Sequence, residues 1–213
     1  TPRLILILSN ILGKKIFTTV EANICDTSKE RNMIKAFGSQ AKLINYFNHF
    51  KNIFPITKYI LDNSNCGLNL KRKVLFLGVD TDNFVPILKD KLINIVFVGS
   101  LVNGKGTHEF IQLANIFNKL KFHIIGDGPL RKDLENISSR NIVFHGLLPN
   151  DQLKHVLSNM DLHILLSRNE GFPKVILETA ASGIPSILYS GYGAEEWISH
   201  RDNGFVVNNF NDV

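Results

Sequence analysis

The chain is poor in several residue types, and each shortage excludes something. Two cysteines, Cys25 and Cys66, in 213 residues are too few for a disulfide framework or a zinc site. They read as idle thiols of a reducing cytoplasm. No apolar run approaches the roughly 20 residues that a membrane-spanning helix needs. No low-complexity tract or internal repeat is present, and abundant Ile, Leu, Val and Phe exclude a disordered chain. His49, His108, His123, His155, His163 and His200 show no metal-ligand spacing. Tight basic clusters are also lacking: Lys71-Arg72-Lys73 stands alone, and no nucleic-acid-binding motif accompanies it.

The start, Thr1-Pro2-Arg3-Leu4, has no initiator Met, and the Leu4–Leu8 run lacks a basic leader and a cleavage site. The chain reads as a piece of a longer one. Its charge is uneven. Residues 1–93 hold 14 Lys/Arg and 7 Asp/Glu; residues 94–213 hold 10 and 12. The basic excess suits an anionic membrane leaflet or an anionic substrate as well as a plain solvated surface.

From Asn94 onward, short apolar runs alternate with helical patterns. Strands are expected at Ile95–Val98, Phe122–Ile125, Ile142–Phe144, Leu162–Leu166, Ile184–Leu188 and Gly204–Val207. Helices are expected after Thr107 as N-cap, over 129–138, 151–158 and 173–182, with a short one near Ala194–Ser199. Continuous apolar strands alternating with helices predict a parallel sheet covered on both faces. The first part is less regular: helix over 3–12, strand Lys15–Val20, a helical segment within Lys29–Asn48, strand Phe54–Thr57, helix Lys58–Asn65 and strand Lys73–Leu77. Residues 78–92 read as a linker, and Asp80-x-Asp82 within it as a turn rather than a metal site.

A doubly wound sheet binds ligands beyond the carboxyl ends of its strands, so the loops that follow strands carry the information. The first is Gly99–Gly106, with Gly104-Lys105-Gly106, which nearly matches a P-loop. Gly106 replaces the Ser/Thr that would hold Mg²⁺, but glycine backbone and a lysine before a helix suit an anionic phosphate. Gly126-Asp127-Gly128-Pro129 is a second turn, and Phe144-His145-Gly146 a third. The fourth is Glu170-Gly171-Phe172-Pro173-Lys174-Val175-Ile176-Leu177-Glu178. With Pro173 starting a helix, Glu178 lies about 7.5 Å along the axis, so the two carboxylates could hold hydroxyls at both ends of one polar ligand.

This stretch, with Ala180-Ala181-Ser182-Gly183-Ile184-Pro185 after it, resembles the Glu-x7-Glu signature of retaining GT-B glycosyltransferases of group 1. Gly78-Val79-Asp80-Thr81-Asp82-Asn83-Phe84 resembles that family's linker, Phe97–Gly106 its phosphate loop, Gly126–Pro129 its Gly-x-Gly-Pro turn and Asn203–Val207 its closing strand. The likeness spans residues 74–207 and is thin before them. It implies a GT-B-like α/β chain: residues 1–88 are part of an N-terminal acceptor-side domain with the linker, and 89–213 a C-terminal Rossmann-like nucleotide-sugar domain. It implies a metal-independent, cofactor-free transfer, with retention, from a UDP- or GDP-sugar to a glycan or lipid-linked acceptor. Lys105 would neutralise the leaving diphosphate. Glu170 would meet the donor sugar with the backbone of Gly171 and Phe172, beside Pro173, and Glu178 would bind the ribose. Gly99, Ser100, Gly126, Gly128, His145 and Gly146 would line the nucleotide pocket. A cytoplasmic protein peripheral to the inner membrane face is implied, with no nucleic-acid partner. Two departures stand out: Ser100 replaces the family's usual Arg, and Glu21 stands where an acceptor-side His is usual. A P-loop nucleotide hydrolase and a non-catalytic nucleotide-binding module are the alternatives.

Overall fold

A computed structural model describes residues 8–9, 11–26, 32–82, 84–86 and 89–213. The chain divides into two compact units, Thr1–Leu77 and Gly78–Val213.

In the smaller unit, β1 (Thr18–Val20) pairs in parallel with β2 (Ile53–Pro55). Between them run α1 (Asn32–Phe37) and α2 (Gln40–Asn48), and α3 (Lys58–Asn63) follows. One helical segment was expected within Lys29–Asn48. Gly38, at φ 78°, breaks it in two. Ser39 then caps the second helix by accepting from the Lys42 amide at 3.2 Å, and Thr57 caps α3 in the same way from Ile60 at 3.1 Å. Val20, Ile24, Leu43, Phe47, Ile53, Ile56 and Ile60 form the buried interior. Of the helix expected over 3–12, residues 3–7 and 10 lie outside the described residues; Leu8, Ser9 and Ile11 are helical.

Two expectations fail in this unit. Lys73–Leu77 is not a strand: a lone bridge at Leu70 and the Leu75 amide bonded to Pro55 O at 2.9 Å are its approach to β2, and no ladder forms. Cys25 and Cys66 are not idle thiols but a disulfide, with Cα atoms 5.2 Å apart. The turn after β1 and the loop after α3 bring together residues whose spacing in the sequence says nothing of their proximity.

The larger unit contains β3 (Asn94–Val98), α4 (Thr107–Ile116), β4 (Lys121–Ile125), α5 (Arg131–Ile137), β5 (Ile142–Gly146), α6 (Asn150–Leu157), β6 (Leu162–Leu165), α7 (Val175–Ala181), β7 (Ser186–Tyr189) and β8 (Gly204–Val207). Short 3₁₀ turns lie at Ala194–Glu196 and Phe210–Asp212. The six strands are all parallel, in the order β5-β4-β3-β6-β7-β8. The order reverses between β3 and β6, which is the topological switch point of a doubly wound sheet. Alternate residues of each strand serve opposite faces. Phe97 and Phe122 meet Phe110 of α4 on one face, with ring centroids 5.7 and 5.3 Å apart. Val96 and Ile125 pack with Leu153, Leu157, Met160, Ile184 and Phe84 on the other. Phe84 thus ties the irregular segment after Leu77 to this core. Asp80 accepts from the Asp82 amide at 3.1 Å, forming a turn. Thr107 is not the N-cap of α4. Gly106, at φ 76°, takes that place, and Thr107 is buried within the first turn.

Candidate functional site

The loops at the carboxyl ends of β3, β4, β5 and β6 are laced together by main-chain hydrogen bonds. The Gly99 amide donates to Ile125 O at 2.9 Å, and the Leu101 amide to Asp127 O at 3.0 Å. Leu130 N donates back to Leu101 O at 3.1 Å, and Gly126 N to Gly146 O at 2.8 Å. On the other side, Arg168 N donates to Gly104 O at 2.9 Å, and the Ser167 hydroxyl to the same oxygen at 3.2 Å. Gly99, Gly126, Gly128 and Gly146 therefore belong to one rim spanning four strands.

Glycine is required at several points along these loops, two of them at positive φ. At Gly126, φ is 138° and a Cβ would stand 1.9 Å from Gly99 O. At Gly106, φ is 76° and a Cβ would stand 2.5 Å from Leu166 O. A Ser or Thr at 106 would collide with the end of β6, so the Mg²⁺-holding hydroxyl of a P-loop has no room here. The P-loop alternative loses its defining residue for a steric reason.

Lys105 and Glu170 sit on the two loops that flank the switch point, and they meet. Lys105 Nζ lies 2.5 Å from Glu170 Oε1, with the lysine side chain 30% exposed and the glutamate 9%. The cation and carboxylate that the sequence singled out in separate motifs are thus one ion pair beside the rim. Ser100 is exposed on the same loop as Lys105.

Beyond Glu170 the chain turns differently from the expectation. Pro173 does not start the α-helix. Pro173 O and Lys174 O accept from Ile176 N and Leu177 N, each at 3.0 Å, in a tight 3₁₀-type turn, and α7 begins at Val175. Gly171 and Pro173 are buried, and the Phe172 ring packs edge-on against Trp197 with centroids 4.7 Å apart. Glu178, on α7, is half-buried. Desolvation pushes its carboxyl above the usual range, partly opposed by Lys154.

His145 has a partner within the sheet. The register between β4 and β5 shifts at His145, and its Nε2 lies 3.0 Å from Nδ1 of His123. Burial, the neighbouring His145 and Lys121 push His123 down to about 4, with Asp161 opposing. His163 is fully buried, bonds the Ser186 hydroxyl through Nδ1 at 3.0 Å, and is pushed down to about 3 by desolvation. Among the described residues no three His, Cys, Asp or Glu side chains converge as a metal site.

Sequence reasoning passed over the loop after β7. There Tyr192 is wholly buried and lies 6.2 Å, centroid to centroid, from Trp197. The signal was available: Gly191-Tyr192-Gly193 follows an apolar strand just as the other four loops do.

The comparisons with known proteins fit this geometry. A model of the family "Glycosyl transferases group 1" matches residues 79–213. An uncharacterized 41.2 kDa protein in the cps region of Klebsiella pneumoniae is 32% identical over 124 residues, 57% of this chain and 34% of that protein. The UDP-Gal:alpha-D-GlcNAc-diphosphoundecaprenol alpha-1,3-galactosyltransferase of Escherichia coli is 27% identical over 169 residues, 68% of this chain and 43% of the enzyme. The chain spans less than half the length of these curated relatives. Among solved structures, HepE of Anabaena in complex with UDP and glucose superposes with a TM-score of 0.76 at 18% identity, over 96% of this chain and 61% of HepE. The fold expected from the sequence, GT-B-like α/β, is the fold found. The Glu-x7-Glu loop, the glycine rim and the matched residues give one conclusion: this chain belongs to the group 1 glycosyl transferases.

Proposed function

We propose that this chain carries the nucleotide-sugar site of a retaining, metal-independent glycosyltransferase that builds a glycan on a sugar or lipid-linked acceptor. In this reading residues 89–213 hold the donor, a UDP- or GDP-sugar, and residues 1–88 contribute to the acceptor side. The observation that carries it is the Lys105–Glu170 pair at the switch point. A leaving diphosphate needs positive charge where its own charge develops, and Lys105 supplies it beside main-chain amides of the Gly99–Gly106 loop. Glu170 is then the acceptor for a donor-sugar hydroxyl, and Glu178 for the ribose hydroxyls. The bond from sugar C1 to the diphosphate oxygen breaks, and the acceptor oxygen bonds C1 on the same face. The acceptor's proton leaves with the diphosphate. No strong protein base is required on this side of the sugar.

The named relatives support the substrate classes. The E. coli relative's name specifies UDP-Gal and a diphosphoundecaprenol acceptor, and HepE was solved with UDP and glucose. The basic excess of residues 1–93 suits work at the anionic cytoplasmic face of the membrane. No helix among the described residues is long and apolar enough to cross a membrane.

Calorimetry with UDP-glucose, UDP-galactose, UDP-N-acetylglucosamine and GDP-mannose, in EDTA and then in Mg²⁺, tests the reading. Metal-independent binding of one donor is expected. Binding of none of them, or of ATP or GTP with Mg²⁺ alone, would overturn it.

A further inference from the structure

Two polar atoms, Tyr192 Oη and Trp197 Nε1, are buried without a hydrogen-bond partner among the described residues. Such orphans are costly and call for an explanation. Both belong to the loop after β7, whose neighbour in the sheet is β6, the strand that leads to Glu170. The Trp197 ring links the two loops, touching Phe172 on one side and Tyr192 on the other. Burial first, then the charges of Glu170 and Glu195, push the Tyr192 hydroxyl far above its usual range. It is therefore a donor at any working pH, within electrostatic reach of Glu170.

Glu170 already has a partner in this state, Lys105. The donor reading above, on which this inference rests, gives Lys105 a second obligation to the diphosphate. When the diphosphate draws Lys105 away, a carboxylate only 9% exposed loses its cation. A hydroxyl donor that has no other bond is what that carboxylate then needs. We propose that Tyr192 is a positioning residue: with Trp197 beside it, it takes over Glu170 from Lys105 when donor binds, and so fixes the carboxylate that meets the sugar.

The test uses the full chain and four variants. Tyr192→Phe removes only the hydroxyl. In the free protein it should melt no lower than the parent, since no bond is lost. It should bind UDP within twofold of the parent but the panel's tightest UDP- or GDP-sugar about tenfold more weakly. Trp197→Phe should weaken the same sugar nucleotide and spare UDP. Lys105→Met frees Glu170 without any ligand, so Tyr192→Phe made in that background should lower the melting temperature, although alone it does not. This cycle needs no donor. If it shows the coupling and no sugar nucleotide binds the parent, the partner exchange stands and the donor reading falls. If donor binds but Tyr192→Phe leaves its affinity and the cycle unchanged, the exchange is overturned. A Tyr192→Phe protein that melts several degrees lower by itself would assign the hydroxyl to the resting fold and also overturn it.

Discussion

Gly99 and Gly126 approach each other main chain to main chain, so closely that a Cβ on residue 126 would overlap the Gly99 carbonyl oxygen at 1.9 Å. Gly126→Ala must therefore displace the chain at the carboxyl end of β3 and also strain its own backbone at φ 138°. The expected cost is about 3 kcal/mol of stability, from overpacking and backbone strain together. Urea unfolding with tryptophan fluorescence would measure it, and a loss below about 1 kcal/mol would show that the rim yields easily.

Removing Lys105 takes the cation from a poorly solvated Glu170 and leaves it the neutral Tyr192 hydroxyl alone. Because the lysine is 30% exposed, the stability loss for Lys105→Ala is discounted to about 1–2 kcal/mol. UDP affinity should fall about tenfold, the worth of one charge-assisted bond. Glu170→Ala should behave differently, damaging sugar transfer more than UDP binding. Equal losses of UDP affinity in both variants would contradict the assigned division of labour.

Glu178→Gln keeps the side-chain size and removes the charge. Donor affinity should drop tenfold or more while stability at pH 7 holds or rises slightly, because desolvation already disfavours the ionised form. In the parent, donor affinity should decline as acidification protonates this carboxyl, at a pH above the ordinary carboxylate range. Calorimetry from pH 8 to 5 should show a shallower slope in the variant.

Two imidazoles, the half-buried His123 and the buried His163, make the larger unit sensitive to acid. His123 and His163 are neutral when folded, pushed from 6.5 to about 4 and about 3. The unfolded chain takes up their protons first. The stability they confer is complete above pH 6.5 and is lost as the pH falls from there, toward 4 for His123 and toward 3 for His163. The urea midpoint should fall over that window, and His123→Gln with His163→Gln should flatten the fall. An unchanged slope in the double variant would place the acid sensitivity elsewhere.

Cys25 and Cys66 close a loop with a sequence separation of 41. Chain entropy gives such a closure roughly 3–4 kcal/mol, all of it in the smaller unit. A thiol reagent should find no reactive cysteine in the isolated protein before reduction and two afterwards, and dithiothreitol should lower the melting of that unit alone. In a reducing compartment the same sulfurs stand as adjacent thiols.

Much of the larger unit was legible because its strands are buried on both faces. Ile95–Val98 and Phe122–Ile125 read as continuous apolar runs, and parallel sheets produce such runs. Lys73–Leu77 has the same texture but no partner strand, and Phe76 is 72% exposed. Composition does not reveal whether a neighbouring ladder exists. The glycines of the rim were visible; what they approach was not, since Gly99 and Gly126 are joined only by the sheet register. The His145–His123 contact was hidden for a related reason: it sits at one extra residue in the β4–β5 pairing, and no local pattern announces such a shift. The Lys105–Glu170 pair was legible as two motifs but not as a contact, because their meeting depends on β3 and β6 being neighbours.

The rim around the carboxyl ends of β3 to β6 is held by amide and carbonyl groups, which every residue except proline possesses in full. The Ser100 side chain is exposed there, whereas Leu101 is wholly buried and the Asp127 carboxylate accepts from the Gly128 amide at 2.7 Å. Such a cradle is specified by backbone path and strand register more than by side-chain chemistry. A substitution that keeps the backbone path leaves this frame standing, while one at Gly106, Gly126 or Gly128 drives a Cβ into a neighbouring carbonyl oxygen.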